Sequence, residues 1–136
     1  MNIGFIAHDE KKTLMQNFCV AYRGILKNHT LYATGTTGRM IEEACGLTVR
    51  KYLAGHVGGV QQLMIQIEQN DIDLLIFLID PNSPKSHEPN AKQLIRICDT
   101  HCTPLATNLA TAEMMIKSLD RGELDWREFY KNKEED

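Results

Sequence analysis

The chain has 136 residues, 43% hydrophobic and 24% charged, enough for one buried core and too few for two ordinary domains, so one domain over residues 1–136 is expected. With 15 Lys and Arg against 18 Asp and Glu, a net charge of −3 and no basic block, nothing favours a polyanion, and nucleic acid is not an expected partner. The longest apolar run, residues 74–79, is about a third of the roughly 20 residues a membrane span needs, and residues 1–4 carry no export signal; no membrane association and a cytoplasmic location are expected.

In chain order, residues 2–7 are a short apolar run ending in His8 and Asp9, which reads as a strand buried on both faces with a polar exit. Residues 10–27 carry Leu14, Phe18, Ala21, Tyr22, Ile25 and Leu26 at helical spacing and predict one amphipathic helix. A second strand is expected over 30–33, then a Thr/Gly loop over 34–38 and a helix over 39–45 stopped by Gly46. Residues 48–53 predict a third strand, 54–59 a glycine-dense loop, and 60–69 a helix. The aliphatic run 73–79 is the clearest strand, followed by a proline-rich loop to residue 89, a helix over 91–102, a strand over 104–107 and a helix over 111–119. The charged tail, 126–136, is expected to fray from Lys131 onward. Strands alternate with helices five times, which predicts an α/β fold: a three-layer sandwich around a mostly parallel five-stranded sheet.

In such a fold ligands bind beyond the carboxyl ends of the strands. His8, Asp9, residues 34–38, residues 55–59, Asp80, His87 and Asn108 all follow strands, so they are expected on one rim. Thr34, Thr36 and Thr37 supply hydroxyls, while Gly35 and Gly38 would let backbone N–H groups approach an anion at a helix start. A turn capped by threonine has the same appearance. The second glycine loop and Lys12 strengthen the anion reading, because together they could surround a phosphate. Neither loop fits the Walker or dinucleotide pattern. His8, His56 and His87 could donate or carry protons near neutral pH, with Asp9 and Asp80 orienting them or accepting protons, although any one alone reads as an exposed loop residue. His29 and His101 are assigned no role. The four cysteines lie in helical segments and are expected reduced; Cys98, His101 and Cys102 could share a helix face, but no second ligand cluster accompanies them, so no metal is expected.

The combination of Ala7-His8-Asp9 with Lys12, Leu31-Tyr32-Ala33-Thr34-Gly35-Thr36-Thr37-Gly38, Gly58-Gly59 with Gln61-Gln62, Asp80-Pro81, His87, and Ala106-Thr107-Asn108 with Ala110-Thr111-Ala112 resembles the bacterial methylglyoxal synthase family over essentially the whole chain. The resemblance implies an enzyme that eliminates phosphate from dihydroxyacetone phosphate through an enediolate, needs no metal or organic cofactor, and assembles as a homohexamer. The same fold serves as a ligand-binding domain in carbamoyl phosphate synthetase and in the purine cyclohydrolase. It further implies that Lys12, Thr34, Thr36, Thr37 and the Gly55 backbone hold phosphate, that His87 acts on the substrate oxygens, and that His8, Asp9 and Asp80 line the pocket.

Four positions depart from the family pattern. Ala54 and His56 stand where the family carries serine and proline, Asn90 where it usually has aspartate, and Val60 where it has its catalytic base. Valine has no atom that accepts a proton, and a positioned base contributes about 10²–10⁴ in rate. Phosphate holding needs no proton transfer and would survive that loss. The expectation is therefore a catalytically impaired member that binds a phosphorylated small molecule, a sugar phosphate or nucleotide, as sensor or sequestering protein. His56 would alter what is accepted beyond the phosphate. The alternative is an active methylglyoxal synthase in which His56, Asp9 or Asp80 replaces the base.

Overall fold

A computed structural model describes residues 1–55, 58–83 and 91–135. Five strands, β1 (Asn2–Ala7), β2 (Thr30–Ala33), β3 (Val49–Lys51), β4 (Leu74–Leu78) and β5 (Leu105–Ala106), form one sheet in the order β3-β2-β1-β4-β5. Every pairing is parallel, with Phe5 opposite both Ala33 and Ile76. The α/β sandwich expected from the pattern is thus the observed fold.

The helices are α1 (Lys12–Ala21), α2 (Arg23–Leu26), α3 (Gly35–Cys45), α4 (Gly59–Glu68), α5 (Ala91–Thr100), α6 (Leu109–Asp120) and α7 (Trp126–Glu135). Alternation within the strands divides the core. Ile3, Phe5, Leu74, Ile76 and Leu78 pack against Met15, Phe18, Ile41 and Ile116 of α1, α3 and α6. Ile6, Leu75 and Phe77 face the other way, onto Leu63 and Ile67 of α4 and Leu94 of α5. Strand β4, interior to the sheet, is buried at every position, which is why its sequence is continuously apolar and not alternating.

Several expected boundaries are corrected. The predicted helix 10–27 is three pieces: a 3₁₀ turn (Asp9–Lys11), then α1, then α2 after a break at Tyr22. The break has φ −107° and ψ 20°, and the Tyr22 ring tilts onto Phe18. Residues 35–38, expected as loop, are the first turn of α3. The helix over 91–102 ends at Thr100, and Cys102 adopts a left-handed backbone with φ 51°, so Cys98, His101 and Cys102 do not share a helical face. Among the described residues no cluster of three metal-ligating side chains occurs.

The tail is the largest correction. Residues expected to fray are helical as far as Glu135, because Arg127 and Lys131, one turn apart, both reach Asp73. Arg127 and Asp73 are each 1% exposed at the side chain. The guanidinium also donates to Asn70 Oδ1 at 2.7 Å, Cys102 O at 2.9 Å and Ile72 O at 3.1 Å, and Asp73 accepts from the Asn2 amide at 2.8 Å. This network seals the amino ends of β1, β4 and β5. No helix among the described residues is long and apolar enough to cross a membrane.

Candidate functional site

At the opposite rim the strand order reverses between β1 and β4, since β2 and β3 lie to one side and β5 to the other. Such a switch point leaves a crevice beyond the strand ends. His8 leaves β1 there and Asp80 follows β4. The His8 amide donates to Leu78 O at 3.1 Å, and the Asp80 amide donates to His8 Nδ1 at 2.9 Å. The imidazole is buried and meets the Phe77 ring edge to face at 5.2 Å. Asp80 Oδ1 in turn accepts the Asn82 amide, closing a tight turn.

One helical turn after His8, Lys12 folds back over the end of β1. Its ammonium donates to Ala7 O at 2.9 Å and to Asp9 Oδ1 at 2.8 Å. An ammonium has three protons, so one remains for another acceptor. The Lys12 side chain is 15% exposed and that of Asp9 41%, which places the positive charge at the wall and the carboxylate at the mouth.

Beside them, Thr34 caps α3 with extended backbone (φ −62°, ψ 152°) directly after β2. Thr34 and Thr37 are buried and Thr36 is exposed. The glycines of this turn are required by packing. The Gly35 amide donates to Leu53 O and the Gly38 amide to Thr34 O. A Cβ on Gly35 would lie 3.1 Å from Tyr52 O, and one on Gly38 would lie 2.6 Å from Lys51 Cγ. Of the first-turn amides without an acceptor inside the helix, that of Gly35 is thus taken by Leu53 O, which leaves those of Thr36 and Thr37.

The second glycine loop is braced by its own helix. Gly58 has φ 111°, outside the range of ordinary side chains, and any Cβ on Gly59 would collide with the Leu53 carbonyl. Gln62 Oε1 accepts the Leu53 amide at 2.8 Å, Gln66 accepts the Tyr52 hydroxyl, and the Gly59 amide donates to Ala54 O at 3.1 Å. The bracing role of Leu53 is not legible in sequence, because it is carried by main-chain atoms while its side chain stays exposed. Gln62 carried a signal in its motif, but its partner was hidden.

Val60 is 6% exposed and packs in the apolar cluster with Ile6, Leu63 and Phe77. Asn108 has a structural task, capping α6 by accepting the Thr111 amide at 3.0 Å, while Thr107 O accepts the Ile79 amide. Gly55 is half-buried beyond the exit of β3. His56, His87 and Asn90 lie outside the described residues. His8, Asp9, Lys12 and Asp80 are joined around the switch point, Thr34 to Thr37 follow adjacent β2, and the Gly55 loop is tied to them through Gly35 and Leu53.

The description "MGS-like domain" belongs to the family model that matches residues 17–107. A methylglyoxal synthase of Caldicellulosiruptor saccharolyticus is 59% identical over 128 residues, 94% of this chain and 91% of that protein. One from Listeria welshimeri is 52% identical over 134 residues, 98% of this chain and 100% of its own. The crystal structure of methylglyoxal synthase from Elizabethkingia anophelis superposes with a TM-score of 0.82 at 40% identity, covering 85% of this chain and 76% of that one. Sequence similarity at this level and coverage, with the same sheet carrying it, makes this chain a member of the methylglyoxal synthase family.

Proposed function

We propose that this protein is a phosphate lyase of the methylglyoxal synthase type, acting on dihydroxyacetone phosphate or a closely related hydroxyketone phosphate, with a rim carboxylate as its base. The observation that carries the reading is the Lys12 ammonium, held by Ala7 O and Asp9 with one proton unspent, beside the linked His8 and Asp80. Lys12, Thr34, Thr36, Thr37 and the Gly55 backbone hold the phosphate in this reading, with His87 assigned to the pocket by resemblance and His56 by its position in the second glycine-dense segment of the sequence. The names and near-complete coverage of the relatives support it.

In the reaction a carboxylate removes a proton from the carbon beside the carbonyl, giving an enediolate. Its electron pair then expels phosphate with cleavage of the carbon–oxygen bond, and the resulting enol regains a proton as methylglyoxal. Val60 accepts no proton, so the base falls to Asp9 or Asp80, the described carboxylates of this rim. The ion pair with Lys12 at 2.8 Å holds the Asp9 carboxylate at this rim. The reading also carries a homohexamer and a phosphorylated small molecule as partner, both by resemblance, and a cytoplasmic location from the sequence.

Val60 favours a second reading, in which the site binds a sugar phosphate or nucleotide without turning it over, because its packing among apolar side chains leaves no acceptor there. Purified protein supplied with dihydroxyacetone phosphate separates the two. The lyase reading expects methylglyoxal and phosphate in equal amounts, abolished in Lys12→Ala. Phosphate binding without product, with turnover appearing in Val60→Asp, supports the second reading. A gain of about 10²–10⁴ would match an added general base.

A further inference from the structure

We propose that His8 is a positioning residue whose ring is locked as the neutral tautomer with its proton on Nε2, and that the lock is the Asp80 amide. The inference rests on the site reading above, but its central observation is independent of any reaction. A backbone N–H always donates, so the 2.9 Å contact requires a lone pair on Nδ1. A neutral imidazole with Nδ1 unprotonated carries its proton on Nε2. Rotating the ring by half a turn would put a C–H against the Asp80 amide and leave a partly buried donor unpaired, so the assignment does not depend on an arbitrary ring orientation.

The surroundings hold the ring in this pose. The His8 amide is bound to Leu78 O, its carbonyl accepts the Lys11 amide at 2.8 Å, and Phe77 packs against the imidazole. The main chain of β1 and the side chain it bears are therefore both tied to the exit of β4. The Nδ1 lone pair of His8 is thus engaged by the Asp80 amide. In this tautomer His8 is not the proton acceptor of the site. The same bond sets where the Asp80 turn begins, so Asp80 is positioned from β1 as well as from its own strand.

The decisive measurement is nitrogen NMR of the full chain labelled in histidine, with the His8 signals assigned by their loss in His8→Asn. At neutral pH His8 is expected to show an unprotonated Nδ1 and a protonated Nε2; a proton on Nδ1, with or without one on Nε2, overturns the proposal. Amide exchange gives a second readout. Asparagine offers an acceptor near the place of Nδ1 and should keep the Asp80 amide protected, whereas His8→Ala should expose it. Unchanged protection in His8→Ala overturns the lock. If product forms, His8→Ala should lower kcat by about 10²-fold, the scale of a misplaced group, with a smaller change in KM. Should no methylglyoxal form, the lyase reading fails while the tautomer and exchange results still decide this one.

Discussion

The two ends of the sheet carry the same chemical elements, a lysine and an aspartate joined across a strand terminus, and use them oppositely. At the amino end Asp73 takes Arg127, Lys131 and the Asn2 amide, and the guanidinium is spread over four acceptors in a space that α7 closes. At the carboxyl end Lys12 and Asp9 pair at 2.8 Å with the carboxylate still partly in solvent and a lysine proton unspent. A saturated, buried charge cluster can hold a fold together but has nothing to offer a ligand. A partly exposed pair at a switch point contributes little to stability, and the proton left on Lys12 is what the proposed anion site would use.

The contrast can be broken most directly at Arg127. Arg127→Ala leaves the buried Asp73 carboxylate with only Lys131 and the Asn2 amide, and removing one partner from such a buried cluster costs up to about 3–5 kcal/mol. Urea denaturation is expected to show that loss, with phosphate affinity of the folded fraction unchanged. A variant of near-native stability would show that the network is ornamental.

At the site end the largest structural effect is expected from Gly59→Ala, because its Cβ would meet the Leu53 carbonyl, a backbone atom with no rotamer to yield. Overpacking of this kind costs about 1–3 kcal/mol. Thermal melts should register it, and ligand affinity should fall too, since the displaced segment joins the two glycine loops.

Lys12→Ala should reverse the pattern of Arg127. A partly exposed pair contributes at most about 1 kcal/mol to stability. A charge-assisted bond to phosphate contributes about 1.5–3 kcal/mol, so calorimetry with inorganic phosphate should show roughly ten- to a hundredfold weaker binding. Global unfolding of this variant would erase the distinction between the two ends.

The smallest effect sharpens the amino end. His29 lies with Nδ1 3.0 Å from the Met1 ammonium, and its pKa is lowered first by burial and then by that charge. Its folded-state value therefore sits below the unfolded one, so the unfolded chain takes up the proton first as pH falls below about 6.5. Stability from this residue is complete above that value and erodes as pH falls toward the folded value. Urea midpoints of His29→Asn across this window should fall less steeply on acidification than those of the parent; an equal slope would assign the pH dependence elsewhere.

How much was legible differs between the ends for the same reason that their chemistry differs. The rim residues His8, Asp9, Lys12, Thr34 and Asp80 follow apolar runs, so strand periodicity and the rule that ligands collect at carboxyl ends locate them without coordinates. Their roles were less visible. Gly35 and Gly38 resemble an anion loop, yet they are glycine because β3 and its exit lie against them. Arg127 was invisible as a core residue, because a charged tail ordinarily reads as solvated and its acceptors come from Asn70, Ile72, Asp73 and Cys102, far away in the chain.

The order of residues by itself determined the alternating α/β architecture, the buried character of β4 and the family, since these depend on local periodicity and on motifs read along the chain. Only the tertiary structure decided that the Asp80 amide meets His8 Nδ1, that Leu53 braces both glycine loops, and that the tail closes the opposite rim. Each of these joins a polar group to partners elsewhere in the chain. Directional bonds between groups remote in sequence leave no period to read, and they come into being only when the sheet brings its strand ends together.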